Sequence, residues 1–385
     1  MRVVFACAGT GGHVNPAIAI AKIILKHKSD TEILFIGTKS GIENKLVENA
    51  GFKIKHISTG KLLRELTLKN FKAMYDTYKG IGDARRILNE FKPDLVIGTG
   101  GYICGPVMLA AKKLKIPYML HESNAFPGIS VKLLAKNASK VMISFEDARY
   151  RLKNRENICY TGTPAKFNTQ DYDKLDKKEI LKELKLNGIN KKIILVTCGS
   201  RGAKRVNEVV IEMVSKILSK EYYVILVTGD RTYDDIVSKK KEIEKEINTN
   251  LDDYIQIEKF IYDMDKMYRA VDMCITRGGA MTITELAICA KPSIIIPLPT
   301  AAENHQYYNA KVLEDASAAY IIEQKNLDYN SLNDKINYIL QNDLLDTMGT
   351  NARKKALLDV EDKIYTCIKD VLNNGWLYGK RKYKI

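Results

Sequence analysis

Residues 3–16 read Val3-Val4-Phe5-Ala6-Cys7-Ala8-Gly9-Thr10-Gly11-Gly12-His13-Val14-Asn15-Pro16, and this stretch decides the fold. The apolar run from Val3 to Ala8 is a buried strand that ends in a glycine turn. Pro16 and the apolar-periodic positions after it (Ala17, Ile20, Ile23, Ile24) read as a helix starting at once. A strand, a glycine turn and a helix in succession aim backbone N–H groups and a helix N-terminus at one point. That arrangement suits a phosphate or a developing negative charge. It also puts one titratable side chain, His13, at that point. The bland reading is a tight turn alone, but a turn needs neither the histidine nor Asn15-Pro16.

Outward from this unit, strand-length apolar runs alternate with amphipathic stretches. Strands are expected at Ile33–Ile36, Leu95–Ile97, Tyr118–Leu120, Val141–Ile143, Ile193–Thr197, Val224–Thr228, Met273–Ile275 and Ser293–Ile296. Helical periodicity lies between them, as at Val206–Leu218 and Thr282–Cys289. Such alternation predicts an α/β fold with parallel, doubly wound sheets. The pattern breaks at residues 164–190, where Pro164 is followed by a Lys/Asp-rich segment. At Ile193 a strand again runs into a glycine turn, Gly199-Ser200-Arg201-Gly202-Ala203, and then a helix. The repeated logic predicts two Rossmann-like domains, 1–164 and 165–365, facing each other across a cleft.

A chain of 385 residues is too long for one ordinary core. With 45% apolar and 28% charged residues it has a soluble protein's composition, and no apolar run is long enough to span a bilayer. The seven cysteines are scattered with no C-x-x-C pair, which predicts free thiols rather than a disulfide or metal framework. The net charge of +15 has three readings: solvated lysines, an anionic membrane, or nucleic acid. Nucleic acid ranks last, because no dense basic run with interleaved aromatics occurs.

The first loop is not a Walker A sequence, since no Gly-Lys-Ser/Thr follows. Its G-x-G-G spacing is also a poor dinucleotide fingerprint, and the second strand ends in Gly37-Thr38 rather than an acid. Hydride chemistry is therefore disfavoured. A further glycine turn, Gly98-Thr99-Gly100-Gly101-Tyr102, and the segment His121-Glu122-Ser123-Asn124 both follow strands. Asn124 offers an amide to sugar hydroxyls, while His121 and Glu122 read equally well as a structural hydrogen-bonded pair. In the second half, Arg277-Gly278-Gly279-Ala280-Met281-Thr282-Ile283-Thr284-Glu285 combines small residues, a helix start and an acid within reach of a ribose diol. The polar cluster Glu303-Asn304-His305-Gln306 suits a hexose. Asp263-Met264-Asp265 matches a metal–nucleotide pattern, but two acids at a helix start are explained by capping and the helix dipole, so no metal and no other cofactor is expected.

Taken together, the segments Gly9–Pro16, Gly98–Pro106, His121–Ala135, Gly199–Asn207, Phe260–Met264, Arg277–Glu285 and Ala302–Ala310 resemble the MurG family of GT-B glycosyltransferases, in the right order over nearly the whole chain. The resemblance implies two Rossmann-like domains and a C-terminal helix, here from about residue 366, that returns to the first. It implies UDP-N-acetylglucosamine as donor and the undecaprenyl-linked lipid I as acceptor. By position, Ile261 would meet the uracil through its backbone and Glu285 the ribose. Ser200, with the turn Ala280, Met281, Thr282, Ile283 and Thr284, would hold the diphosphate, and Gln306 with His305 the sugar. Thr10, Gly11, Gly12, Asn124 and the position of Lys166 would complete the donor site from the first domain. There are departures from the family's pattern: Lys166 replaces a common arginine and loses its fork. Arg201 adds a cation beside the phosphates, and Leu226-Val227 stand where His-Gln often does.

The reaction so implied is an inverting transfer to the muramyl C4 hydroxyl. His13 is the candidate base, and Arg201 with the helix N-termini would stabilise the departing UDP. A lipid-linked acceptor requires membrane contact. The stretch Lys61–Lys79, with Leu68, Phe71, Lys72 and Tyr75 among others, suits peripheral docking on the anionic inner face of the cell membrane, although an ordinary amphipathic helix packed on the sheet has the same pattern. The rival readings are another GT-B transferase, a UDP-N-acetylglucosamine 2-epimerase, for which catalytic carboxylates cannot be placed, and a non-catalytic nucleotide-sugar scaffold.

Overall fold

The computed structural model describes residues 1–60, 68–153, 155–199 and 202–374, with residues 68–74 and 374 described as backbone only. The first unit is built from β1 (Arg2–Ala6), α1 (Gly11–His27), β2 (Glu32–Gly37), α2 (Glu43–Asn49), β3 (Lys53–His56), α3 (Leu68–Phe91), β4 (Leu95–Gly98), α4 (Cys104–Lys113), β5 (Tyr118–Glu122), α5 (Ile129–Leu134), β6 (Lys140–Ile143) and β7 (Ile158–Tyr160). The second contains α6 (Thr169–Asp173), α7 (Lys177–Glu183), β8 (Lys192–Thr197), α8 (Lys204–Ile217), β9 (Tyr222–Val227), α9 (Tyr233–Ile247), β10 (Ile255–Glu258), α10 (Met264–Ala270) and β11 (Met273–Thr276). It continues through α11 (Ala280–Ile288), β12 (Ser293–Ile295), α12 (His305–Glu314), β13 (Ala319–Ile321), α13 (Tyr329–Gln341) and α14 (Leu345–Arg353). Helix α15 (Val360–Asn374) then rejoins the first unit, so that Met1–Pro164 and α15 form one body and Ala165–Leu358 the other.

Among the described residues the first unit carries a parallel sheet in the order β3-β2-β1-β4-β5-β6-β7, and the second a parallel sheet in the order β10-β9-β8-β11-β12-β13. Each is a Rossmann-like layer, and the α/β class is the one the alternating pattern predicts. Strand β1 shows why its residues are apolar without alternation. Val3 and Phe5 face one buried cluster and Val4 and Ala6 the other, so both faces are covered. The first cluster includes Ile20 and Ile24 of α1 with Ile364, Ile368 and Val371 of α15. The spacing 364, 368, 371 is one helical face. Burying each such side chain contributes about 1.5–3 kcal/mol. Lys26–Glu361 at 2.7 Å and stacking of His27 on Tyr365 align the rim of the two helices.

The structure differs from the sequence reading in three places. Helix α1 starts at Gly11, not at Pro16, so His13 belongs to the helix's first turn rather than to the turn before it. Proline is tolerated there because it sits close to the N-terminus, at the cost of the bond its missing N–H would give the Gly12 carbonyl. Helix α15 starts at Val360, six positions before the start implied by the resemblance. Strands β3, β7, β10 and β13 were not anticipated; all are three or four residues long, and β3 (Lys-Ile-Lys-His) has the polar character of an edge strand.

Candidate active site

In open parallel sheets ligands bind at the carboxyl ends of the strands where the strand order reverses. In the first unit that point lies between β1 and β4. The loop after β1 turns at Gly9 (φ +104°), Thr10 is the extended N-cap of α1, and no acid occupies the helix's first turn. The N–H groups of Gly11 and Gly12 therefore meet no local anion. His13 Nδ1 stands 3.2 Å from the Ala8 carbonyl oxygen. A carbonyl can only accept, so Nδ1 carries the hydrogen and the neutral ring holds its lone pair on Nε2. Thr99 Oγ1 donates to the His13 carbonyl at 2.7 Å and ties α1 to the loop after β4. In that loop a Cβ on Gly100 would fall 2.5 Å from the His13 ring, and one on Gly101 would fall 2.3 Å from the Ala8 oxygen. Both glycines have positive φ, so their identity is set by backbone and by space.

At the end of β5 the adjacent residues His121 and Glu122 are each tied into the surrounding loops rather than paired with one another. His121 is buried, its Nε2 lies 3.3 Å from the Gly162 carbonyl, and burial pushes its pKa down to about 4. Glu122 accepts the backbone N–H and the side-chain amide of Asn124 at 2.8 and 3.0 Å and the Gly128 N–H at 2.8 Å. Burial raises its pKa despite those bonds. Glu122 thus fixes the orientation of Asn124 rather than reaching a ligand itself.

In the second unit the reversal lies between β8 and β11. Ser200 and Arg201, in the loop after β8, lie outside the described residues. A Cβ on Gly202 would collide with the Thr228 carbonyl at 1.7 Å, and buried Asn207 donates to Thr228 O at 3.0 Å and Thr232 Oγ1 at 2.9 Å. The loop after β11 leads through Gly279, the N-cap, into α11, whose first turn is Ala280, Met281 and Thr282. Gly278 is pressed against the N-terminal turn of α12, with the Gln306 carbonyl 2.1 Å from where a Cβ would stand, and Asn309 donates to its carbonyl at 3.0 Å. Arg277 does not project as an anion ligand. Its guanidinium donates to Ile296 O at 3.0 Å, Pro297 O at 3.2 Å and Gln324 at 2.7 Å, and burial lowers its pKa.

Glu285, the sixth residue of α11, is partly buried and accepts a hydrogen bond from the Tyr268 hydroxyl. Burial pushes its pKa up to about 7, with the Tyr268 bond and the charge of Lys166 pulling the other way. Lys166, grouped with the first domain by the resemblance, belongs to the second unit and sits within electrostatic reach of Glu285. Ile283 is buried, so it offers only backbone, and the Thr284 hydroxyl is turned onto the Ala280 carbonyl at 3.1 Å. Ile261 follows β10 between the exposed rings of Phe260 and Tyr262, which meet edge to face. Gln306 accepts the Leu298 N–H through Oε1 at 3.0 Å, which leaves its NH₂ as the donor for a sugar. His305 Nδ1 donates to Ala302 O at 2.7 Å, just after Glu303 and Asn304 at positive φ.

Asp263 occupies the N-cap position of α10 but makes no side-chain cap hydrogen bond, because its backbone (φ −94°, ψ 70°) is outside the extended capping geometry. Only the dipole part of that expectation is left. Of the proposed docking residues, Leu68, Phe71 and Lys72 have backbone in α3 but side chains outside the described residues, and Tyr75 is exposed. Sequence reasoning missed Glu43, a fully buried carboxylate beneath the first glycine loop. Its one signal was the pair of glycines before it, Gly37 and Gly41, which leave its side chain room.

Two Rossmann-like units with glycine loops at their strand-order reversals, one with a histidine and one with an acid, fit the class of GT-B glycosyltransferases, and likeness to known proteins places the chain there. Residues 3–143 match the glycosyltransferase family 28 N-terminal domain, and residues 193–364 match the family 28 C-terminal domain. A UDP-N-acetylglucosamine--N-acetylmuramyl-(pentapeptide) pyrophosphoryl-undecaprenol N-acetylglucosamine transferase of Thermoanaerobacter sp. is 42% identical over 96% of this chain and 100% of its own length. One of the same description from Acetivibrio thermocellus is 39% identical over 97% and 99%. The crystal structure of Acinetobacter baumannii MurG superposes with a TM-score of 0.77 at 28% identity, covering 96% of this chain and 99% of that one. The chain belongs to the MurG family of glycosyltransferases.

Proposed function

We propose that this chain transfers N-acetylglucosamine from UDP-N-acetylglucosamine to the muramyl C4 hydroxyl of lipid I, with inversion at the anomeric carbon, giving lipid II for peptidoglycan. The observation that carries this reading is the end-to-end likeness, at 42% identity, to a relative named for that transfer. The donor's uracil meets the Ile261 backbone, and Glu285 accepts from the ribose hydroxyls. The N-terminus of α11, from Ala280 to Thr284, holds the diphosphate together with Ser200 and Arg201, and Gln306 and His305 serve the sugar. Thr10, Gly11, Gly12, Asn124 and Lys166 complete the donor site. His13 takes the proton of the attacking hydroxyl on Nε2, and the anion left on UDP is stabilised by the α11 N–H groups and Arg201. No resident metal is needed to neutralise that charge in this scheme, and activity is expected to survive full chelation.

The acceptor's polyprenyl chain brings the enzyme to a bilayer. No described helix is long and apolar enough to cross a membrane. Exposed Tyr75 and Tyr78 on α3 and the chain's +15 net charge support peripheral docking on an anionic inner face. One assay tests the reading: UDP release from UDP-N-acetylglucosamine with and without a lipid I analogue. Release that depends on the analogue is the expected result. Interconversion of the donor without it would favour an epimerase, and binding without turnover a scaffold.

A further inference from the structure

Glu43 and His13 hold the same peptide unit from its two ends. The peptide joining Ala8 to Gly9 is planar and trans, so its C=O and N–H point in opposite directions. The Gly9 N–H donates to Glu43 Oε2 over a long 3.4 Å, while the Ala8 oxygen accepts His13 Nδ1–H at 3.2 Å. Glu43 is built in rather than incidental. Its side chain is fully buried, and its Oε1 accepts the Thr38 N–H at 2.9 Å and the Thr38 hydroxyl at 2.6 Å. A Cβ on Gly41 would lie 2.0 Å from its carboxylate oxygens, and one on Gly37 2.9 Å from its Cγ. The turn from β2 into α2 is therefore shaped around this one carboxylate. Burial works against its charge, but the bonds from Thr38 and Gly9 hold it below the usual carboxylate range, so it is an anion at neutral pH.

We propose that Glu43 is the positioning residue for His13: acting through the Ala8–Gly9 peptide, its carboxylate locks the Nδ1–H tautomer and makes the ring a stronger base. An anion accepting from an amide N–H polarises that amide and strengthens its carbonyl as an acceptor. The field of a buried anion also favours the imidazolium over the neutral ring. This is the logic of a base oriented by a carboxylate, with one peptide placed between them. Other titratable groups on the surrounding elements are Cys7 after β1, Tyr102 and Cys104 around the start of α4, and Glu122 at the end of β5. The two thiols are pushed up by burial, that of Cys104 to about 12, and stay neutral. Glu122 is raised by burial and bonded to its own loop. Glu43 is the ionised group attached to the histidine's own peptide.

The proposal rests on His13 being the base, and its test separates the two ideas. In full-length protein with ring-¹⁵N histidine, the five histidines are resolved and His13 is assigned by its loss in His13→Gln. The wild-type neutral ring is expected as the Nδ1–H tautomer. Glu43→Gln is expected to lower the His13 pKa by roughly half a unit or more, and Glu43→Asp to restore most of it. The acid limb of kcat moves to lower pH by the same amount, with KM for UDP-N-acetylglucosamine changed less than about twofold. An Nε2–H tautomer in the wild type overturns the proposal without any variant having to fold, and so does an unchanged His13 pKa in a folded Glu43→Gln. Near-normal turnover of His13→Ala would instead remove the base, while the spectra still report whether Glu43 controls the ring.

Discussion

The Tyr268 hydroxyl donates to Oε2 of Glu285 across 3.3 Å, from helix α10 to helix α11. Burial has raised the Glu285 pKa from its ordinary 4.5 to about 7. In the proposed donor site the ribose-accepting form of Glu285 is the carboxylate, so protonation competes with donor. UDP affinity is expected to be flat above pH 7 and to weaken about tenfold per unit well below it. Glu285→Gln should bind UDP roughly 10–100-fold more weakly and without that pH dependence, as calorimetry from pH 5.5 to 8.5 would read. The sign for stability is opposite to that of a salt-bridged acid. A raised folded pKa penalises the fold as pH rises from 4.5 towards 7, so Glu285→Gln gains stability over wild type at pH 8 and not at pH 4.5.

In the proposed reaction His13→Ala removes the group that takes the acceptor's proton. Its kcat is expected to fall by about 10²–10⁴-fold, while the Kd for UDP stays within about twofold. A stopped turnover assay beside a calorimetric titration gives both numbers from one preparation.

Gly278→Ala would thrust a methyl group to within 2.1 Å of the Gln306 carbonyl, a backbone atom that cannot swing aside. The loop after β11 or the start of α12 must shift. A loss of about 1–3 kcal/mol is expected, seen as a lowered Tm, together with a raised KM for donor. Gly279→Ala meets only Thr282 Oγ1 at 3.6 Å and should be far milder.

Ile368→Ala opens a cavity between α15 and the face of β1 that carries Val3 and Phe5. The expected cost is about 2–5 kcal/mol, borne by the first unit. Calorimetry should show the transition of that unit moving down while UDP binding by the other persists.

Tyr75→Ser with Tyr78→Ser replaces two exposed rings on α3. Co-pelleting with vesicles containing anionic lipid should drop several-fold, and raised salt should weaken wild-type binding. Equal pelleting of wild type and variant would leave α3 without a docking role.

Much of this fold is legible in the sequence. The sheet strands β1, β2, β4, β5, β6, β8, β9, β11 and β12 are apolar runs because parallel strands are covered on both faces. The glycine loops were legible for the same reason: each breaks such a run at the carboxyl end of a strand, where open parallel sheets bind ligands. Edge strands such as Lys53–His56 carry no such run, since water reaches one side of them. Glu43 was illegible for a deeper reason. The nearby Gly37 and Gly41 leave room for a side chain but do not say whose; the role of Glu43 appears only when Gly9, thirty-four residues away in sequence, is folded onto it. Arg277 was illegible in the same way: nothing in Thr-Arg-Gly-Gly shows that its guanidinium is taken up by the Ile296 and Pro297 carbonyls.

Helix α15 has a consequence for how the protein is made. The body that holds His13 is discontinuous in sequence: Met1–Pro164 is closed by a helix that follows the whole of Ala165–Leu358, with Lys26 pairing to Glu361. On the ribosome the intervening body is complete in sequence and can fold by itself, while the Val3 and Phe5 face waits uncovered for its final helix. A chain cut between Leu358 and Val360 therefore keeps the whole second body but displays raw apolar sheet on the first, the kind of surface that quality-control proteases recognise. Arrival of α15, more than folding of either body's sheet, is what closes the unit that carries His13.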